Sequence, residues 1–233
     1  MAKLRDSKKI RLKTNPNITE IKSINIGDII FLDGIIYTAR EGVYKRVLED
    51  KKNLPLDLPK VSAANFHCSP AAVQNENGEF NLGAVTATAS FRFSKWIGEW
   101  LKTSQAKLII GKGGMSSNDY KNHFVPNGAI YLTTVGYGTG ALLGRGVKKV
   151  KDLFWKKELG LAQAMWVIEV ENFGPFLAES DMKGNSLFER ENKKIAEKIK
   201  LAYEGTRPAV LKRFGETNNP EAVSYTHLRA HET

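Results

Sequence analysis

A single mixed α/β domain is the fold class this sequence predicts, and three observations carry the prediction. The chain has 233 residues, 42% of them hydrophobic, enough for one core and within the usual size of one domain. Apolar runs of strand length interleave, without a clean repeat, with segments whose apolar residues recur at helical spacing. The strand-like runs stop at glycines, where α/β domains gather their functional loops.

Taken in order, residues 1–23 form a basic leader that includes a first strand. From Ile24 to Ala39 an apolar run is broken at Gly27-Asp28 and Asp33-Gly34, which predicts two short strands joined by a turn. Glu41 to Asp50 predicts a helix. Asn53 to Pro59 is proline-rich and Asn75 to Gly78 turn-rich, so the middle is expected to be mostly loop, with a short strand near Phe66. Phe93, Ile97, Trp100 and Leu101 place a helix over Phe91 to Lys102, and Lys107 to Ile110 is a short buried strand ending at Gly111. A strand over Ala129 to Val135 leads into Gly136-Tyr137-Gly138-Thr139-Gly140. Ala164 to Val170 and Phe176 to Glu179 are expected as later strands, and Phe188 to about Tyr203 as the last long helix.

Composition narrows the function. No run approaches the ~18 apolar residues of a membrane span, and Met1 to Lys13 lacks the apolar stretch of a secretion signal, so a cytoplasmic protein without a membrane role is expected. The formal charge of +10 suggests a nucleic-acid partner. Its distribution argues against one: the excess sits in the leader and in Glu189 to Arg213, where alternating signs make a solvated helix face. The single cysteine, Cys68, cannot form an internal disulfide or by itself hold zinc or an iron–sulfur cluster, so it is expected to be a small buried residue and this chain to supply no metal site.

Two nucleotide-binding patterns fail. Around Gly111-Lys112 the P-loop spacing is broken by Ala106 and Gly113. The glycine run at Gly136 to Gly140 fits a loose dinucleotide fingerprint, yet Gly144 and Gly146 interrupt the helix that should follow. Three cations remain at or just after strand ends: Arg40, Arg92 and Lys112, each beside small residues. Together they suit a dicarboxylate, because arginine grips a carboxylate with two parallel bonds and lysine adds a point charge.

The segments GDIIFLDGIIYTARE, HCSP, TATASFR, LIIGKGG, GAIYLTTVGYGTGALL, AMWVIEVENFGPF and DMKGNSLF occur in an order and spacing that resembles the beta subunit, or C-terminal domain, of class I iron–sulfur fumarate hydratases and L-tartrate dehydratases. The resemblance covers roughly Ile24 to Phe188 and implies a swivelling three-layer β/β/α domain docked on a larger alpha subunit. That partner would carry a four-iron, four-sulfur cluster with one open iron, a Lewis acid toward the substrate hydroxyl and carboxylate. By position, Arg40 and Arg92 would hold substrate carboxylates, Lys112 would support one of them, and Thr88 would handle the C3 proton. The expected function is the beta subunit of a hydro-lyase interconverting (S)-malate and fumarate, inactive alone, with an L-tartrate or related hydroxy-diacid dehydratase, or a non-catalytic binding domain, as alternatives. This sequence departs from the family's usual Gly-Pro-Thr-Thr at Thr86-Ala87-Thr88-Ala89, from its Asp at Glu41 and from its His at Tyr44.

The expected organisation is therefore a leader and first strand over 1–23, the hydro-lyase domain over 24–188, and a C-terminal helix with its extension over 189–222. Residues 223–233, VSYTHLRAHET, resemble a reading frame of a transposase-type sequencing adapter and are set aside, with His227 and His231, as an artefact.

Overall fold

The computed structural model describes residues 7–136, 138–202, 204 and 205. The adapter-like tail, with His227 and His231, lies outside them. Residues up to Lys193 belong to one compact unit, and the chain from Lys194 onward to a second. Its described part is helical as far as Ala202. No helix among the described residues is long and apolar enough to cross a membrane.

The described strands are β1 (Lys9–Lys13), β2 (Ile29–Thr38), β3 (Ala64–Phe66), β4 (Cys68–Gln74), β5 (Phe80–Ala87), β6 (Leu108–Gly111), β7 (Ile130–Thr134), β8 (Val147–Phe154) and β9 (Met165–Ala178). The α-helices are α1 (Ile18–Ser23), α2 (Glu41–Tyr44), α3 (Leu58–Val61), α4 (Ser94–Ser104), α5 (Ser117–Asp119), α6 (Thr139–Gly144), α7 (Lys156–Gln163) and α8 (Leu187–Ala202). Seven strands form a mixed sheet in the order β1-β2-β3-β6-β7-β9-β8, while β4 and β5 make a separate antiparallel hairpin. From β1 to β7 the neighbours are parallel. The long β9 runs antiparallel to β7 through Phe176 to Ala178 and to β2 along most of its length, so the sheet closes on itself.

The alternation of side chains assigns the two cores. Ile30, Leu32 and Ile36 of β2, Leu108 and Ile110 of β6, and Trp166, Ile168 and Val170 of β9 point into one cluster, which Val85 of the hairpin joins. Tyr37, Ile109, Tyr131, Met165 and Val167 point the other way, into a second cluster. There they meet Trp96, Ile97, Trp100 and Leu101, the apolar stripe of α4.

Three expectations need correction. The apolar run at Ile24 to Ala39 is one ten-residue strand, β2, in which Asp33-Gly34 marks a register shift rather than a turn. Asp33 belongs there because its carboxylate accepts from Arg11 at 2.8 Å and from the Asn172 amide at 2.8 Å. The middle is less loop than expected: residues 51–57 are irregular, but Asn75 to Gly78 is the turn of the β4–β5 hairpin. The two late strands are one, β9, which continues through Gly174-Pro175. The expected mixed α/β class holds, and the Glu41 to Asp50 helix appears as α2 continued by a wider π turn, Lys45–Glu49.

Candidate functional site

The site is built where the chain leaves β5 and β6. Thr88 follows β5, and its amide donates to the His67 carbonyl at 2.6 Å. The Lys112 amide then donates to the Thr88 carbonyl at 3.1 Å, and the Ser90 amide to the Lys112 carbonyl at 3.2 Å. Ala89 and Lys112 thus form an isolated parallel bridge. This close crossing needs glycine at 111, because a Cβ there would collide with Ser90 Oγ and would lie 2.5 Å from the Tyr131 hydroxyl.

The three cations reach this crossing from different elements. Arg40 follows β2 at the N-terminus of α2, half-buried, and its Nη1 donates to the Ala162 carbonyl at 2.9 Å. Its Nε is buried and has no hydrogen-bond partner. Burial, and then the positive charge of Arg92, lower the Arg40 pKa from its ordinary value. The sequence-predicted Arg40 and Arg92 are therefore electrostatic neighbours although 52 positions separate them. Arg92 is exposed, on the 3₁₀ turn Phe91–Phe93, with its guanidinium 5.5 Å from the Phe93 ring centre. Among the described residues none of Arg40, Arg92 and Lys112 is in an ion pair, and Glu41 is taken by Lys45 at 2.8 Å. Lys112 is exposed and, with Thr86, Ala87, Thr134 and the glycines at 136, 138 and 140, lines a cavity of about 560 Å³. Thr88, Arg40 and Arg92 do not line that cavity.

Beneath the crossing runs a chain of polar side chains that sequence reasoning missed. Asn65 Nδ2 donates to the Tyr44 hydroxyl at 3.2 Å, the Tyr44 hydroxyl lies 2.6 Å from His67 Nε2, and His67 Nδ1 lies 2.7 Å from Ser90 Oγ. Tyr131 donates its hydroxyl proton to the same Ser90 Oγ at 2.6 Å. All five residues are fully buried. Burial, followed by the charge of Arg40, pushes the His67 pKa down to about 3, so the imidazole is neutral at physiological pH. Tyr44 stands where the family usually has histidine, and it is bonded to the histidine at 67.

Two more buried groups flank the site. Cys68 opens β4 opposite Ala87 and is 1% exposed; burial raises its thiol pKa, with Arg40 pulling it part of the way back. Glu179 lies under the loop after β6, where a Cβ on Gly114 would be 3.2 Å from its carboxyl carbon. Ser186 donates to its Oε1 at 2.5 Å, and burial raises its pKa to about 7 against the opposing pull of its hydrogen-bond donors. Among the described residues no group of three or more His, Cys, Asp or Glu is arranged to hold a metal ion.

Comparison with known proteins fits this arrangement. The family model described as "Fumarase C-terminus" matches residues 1–191. A Methanocaldococcus jannaschii protein named "Putative L(+)-tartrate dehydratase subunit beta" is 36% identical over 183 residues, 77% of this chain and 91% of the relative. The Escherichia coli K12 L(+)-tartrate dehydratase subunit beta is 30% identical over 186 residues, 79% of this chain and 88% of the relative. A Geobacillus stearothermophilus protein named "Putative fumarate hydratase class I" is 30% identical over 198 residues, 83% of this chain but 37% of that longer protein. With the family model spanning most of the chain and relatives of 30% identity or more covered almost from end to end, this chain belongs to the fumarase C-terminus family.

Proposed function

We propose that this chain is the beta subunit of a hydro-lyase acting on a hydroxy-dicarboxylate, working only in complex with a cluster-bearing alpha subunit. The observation that carries the reading is the arginine pair. Two guanidinium groups near enough for one to lower the other's pKa, with a buried Nε unpartnered and no acid paired to either, leave donors and positive charge that an anion would satisfy.

In this reading Arg40 and Arg92 bind and orient the substrate carboxylates, and Lys112 adds charge. Thr88, two residues before Ser90 and joined through its carbonyl to the Lys112 amide, moves the C3 proton. A hydroxyl is a weak base at neutral pH, and neighbouring positive charge favours its ionised form. The residues present do not fit a cluster, since the one thiol is buried and its pKa is raised, so the four-iron, four-sulfur cluster is assigned to the partner. The swivelling three-layer β/β/α architecture and a cytoplasmic location go with this reading, as does the tricarboxylic acid cycle if malate is the substrate.

Between malate and tartrate, the names of the relatives favour tartrate dehydratase, because the two with that name are covered almost completely. Fumarate hydratase remains the second reading, on the partial match to the longer protein. Turnover of (S)-malate, fumarate, L-tartrate and D-tartrate by the chain co-expressed with its alpha subunit decides between them. Inactivity of the loaded complex toward all four would overturn the dicarboxylate reading.

A further inference from the structure

We propose that His67 and Ser90 are positioning residues, which through the buried chain Asn65–Tyr44–His67–Ser90–Tyr131 aim Thr88 and Arg92 at a shared substrate. This rests on the dicarboxylate reading above and adds to it the device that holds the site in shape.

Ser90 is the point at which everything near the site is tied. Its amide is bonded to Lys112, its carbonyl accepts from the Phe93 amide at 2.9 Å, and its Oγ takes both His67 and Tyr131. Thr88 lies two residues before it and Arg92 two residues after, the latter on the turn that the Ser90 carbonyl opens. A change at one hydroxyl would therefore move the proposed proton-handling and carboxylate-binding residues together.

The proton order of the chain follows from its partners. The Tyr44 oxygen accepts from Asn65, so the single Tyr44 proton goes to His67 Nε2. The neutral imidazole then carries its hydrogen on Nδ1 and donates it to Ser90 Oγ. Ser90 Oγ thus receives two donors, from His67 and Tyr131, and is held from both sides.

A fold alone has little use for this arrangement. His67 packs against Phe93 with ring centres 4.8 Å apart and Tyr44 against Phe93 at 5.6 Å, surroundings in which apolar residues of the same shape would serve packing equally well. A buried polar chain in such surroundings favours one geometry, because a slipped alternative leaves further buried donors or acceptors unmade, beyond the Asn65 Oδ1 that already has no partner.

The test combines amide exchange on the full-length chain with turnover by the complex. Ser90→Ala removes the hydroxyl, His67→Gln keeps a group near Nε2 but abandons Ser90, and His67→Asn keeps a donor near Nδ1. Ser90→Ala and His67→Gln are expected to speed exchange of the Ser90 and Lys112 amides about tenfold or more and to lower the melting temperature by a few degrees, as a buried donor left unmade requires, leaving exchange within β9 near wild type. They are also expected to lower kcat about tenfold or more, with KM changed far less, while His67→Asn recovers most of both. Tyr131→Phe, which removes a single hydroxyl, gives a milder version of the same pattern. Unchanged exchange and kcat within twofold of wild type in Ser90→Ala and His67→Gln would overturn the proposal, as would equal loss in His67→Asn and His67→Gln. If the unmodified complex turns over no diacid, the functional reading fails, and the exchange pattern of the chain alone still decides whether the network positions these loops.

Discussion

The Lys112 amide donates to the Thr88 carbonyl at 3.1 Å, with the Ser90 amide returning a bond to the Lys112 carbonyl, so the loops after β5 and β6 are stitched into one piece of backbone. Each of the two loops carries proposed site residues, and the stitch fixes their spacing before any substrate arrives. The outcomes below follow from that geometry and from the buried groups around it.

Gly111→Ala is expected to destabilise the chain by about 1 to 3 kcal/mol, because the new methyl would displace the Ser90 and Tyr131 hydroxyls and press on the Thr88 carbonyl at 3.3 Å. Thermal unfolding should show a fall of roughly 2 to 4 °C for each kcal/mol. Gly113→Ala, with nothing within 4 Å of its Cβ but φ at +81°, should cost only about 1 kcal/mol. Equal melting temperatures for Gly111→Ala and wild type would mean the crossing is looser than described.

Arg92→Ala, measured in the loaded complex, is expected to lower kcat/KM by about two to four orders of magnitude if two charge-assisted bonds of ~1.5 to 3 kcal/mol are lost. Arg92→Lys should recover little of this, since lysine restores charge without the planar fork. Arg40→Ala should behave similarly, and it also removes the bond to the Ala162 carbonyl. Near-wild-type turnover in both alanine variants would return these arginines to solvated surface charge.

Glu179 predicts a pH dependence of stability. Its folded pKa of about 7 lies above the ordinary 4.5, so between those values the folded state holds the proton more tightly than the unfolded one. Stability should therefore fall as pH rises through that window, and the loss is complete above about 7. Glu179→Gln, which keeps an oxygen acceptor for Ser186, should flatten the curve and be the more stable chain at pH 8. Parallel urea midpoints of the two proteins from pH 4.5 to 8 would show that this carboxyl does not titrate as described.

Cys68 should resist alkylation in the native chain, reacting on the order of 100-fold more slowly than in denaturant, since it is buried and its thiol pKa is raised. Cys68→Ser should leave the iron and sulfide content of the assembled complex unchanged. A loss of cluster in the serine variant would make this thiol a ligand.

Lys112 and Arg40 were legible in the sequence because strand ends are, whereas Arg92 sits on a 3₁₀ turn rather than at a strand end. Gly111 stops β6 just before Lys112, and the polar step from Ala39 to Arg40 ends the apolar run of β2. The Asn65–Tyr44–His67–Ser90–Tyr131 chain was not legible, because its members lie far apart in sequence and only the parallel order of β2, β3, β6 and β7 brings them together. His67 gave one signal, standing beside Cys68 at the end of a short strand, but an isolated histidine specifies no partner. Strand β8 escaped notice for a local reason. Its apolar residues Val147, Val150 and Leu153 recur every third position, a helix-like spacing, and the register shifts after Val147 and Val150 make that spacing fit a strand. Past Pro175, which cannot donate to the ladder, the register with β2 resumes at Phe176.

Strand β9 reaches β8, β2 and β7, and its pairing with β2 joins residues as distant as Ile29 and Leu177. During synthesis, β2 and β7 are complete long before the segment that covers their open edges leaves the ribosome. Until then the nascent chain presents unpaired backbone to its neighbours, a hazard for sticking to other chains. Native pairing across so long a separation also implies slow folding, because the closing loop must be ordered before its contacts are gained. A ribosome stalled before Met165 should therefore hold a chain whose sheet is open, and release past Ala178 should be the moment at which protease resistance appears.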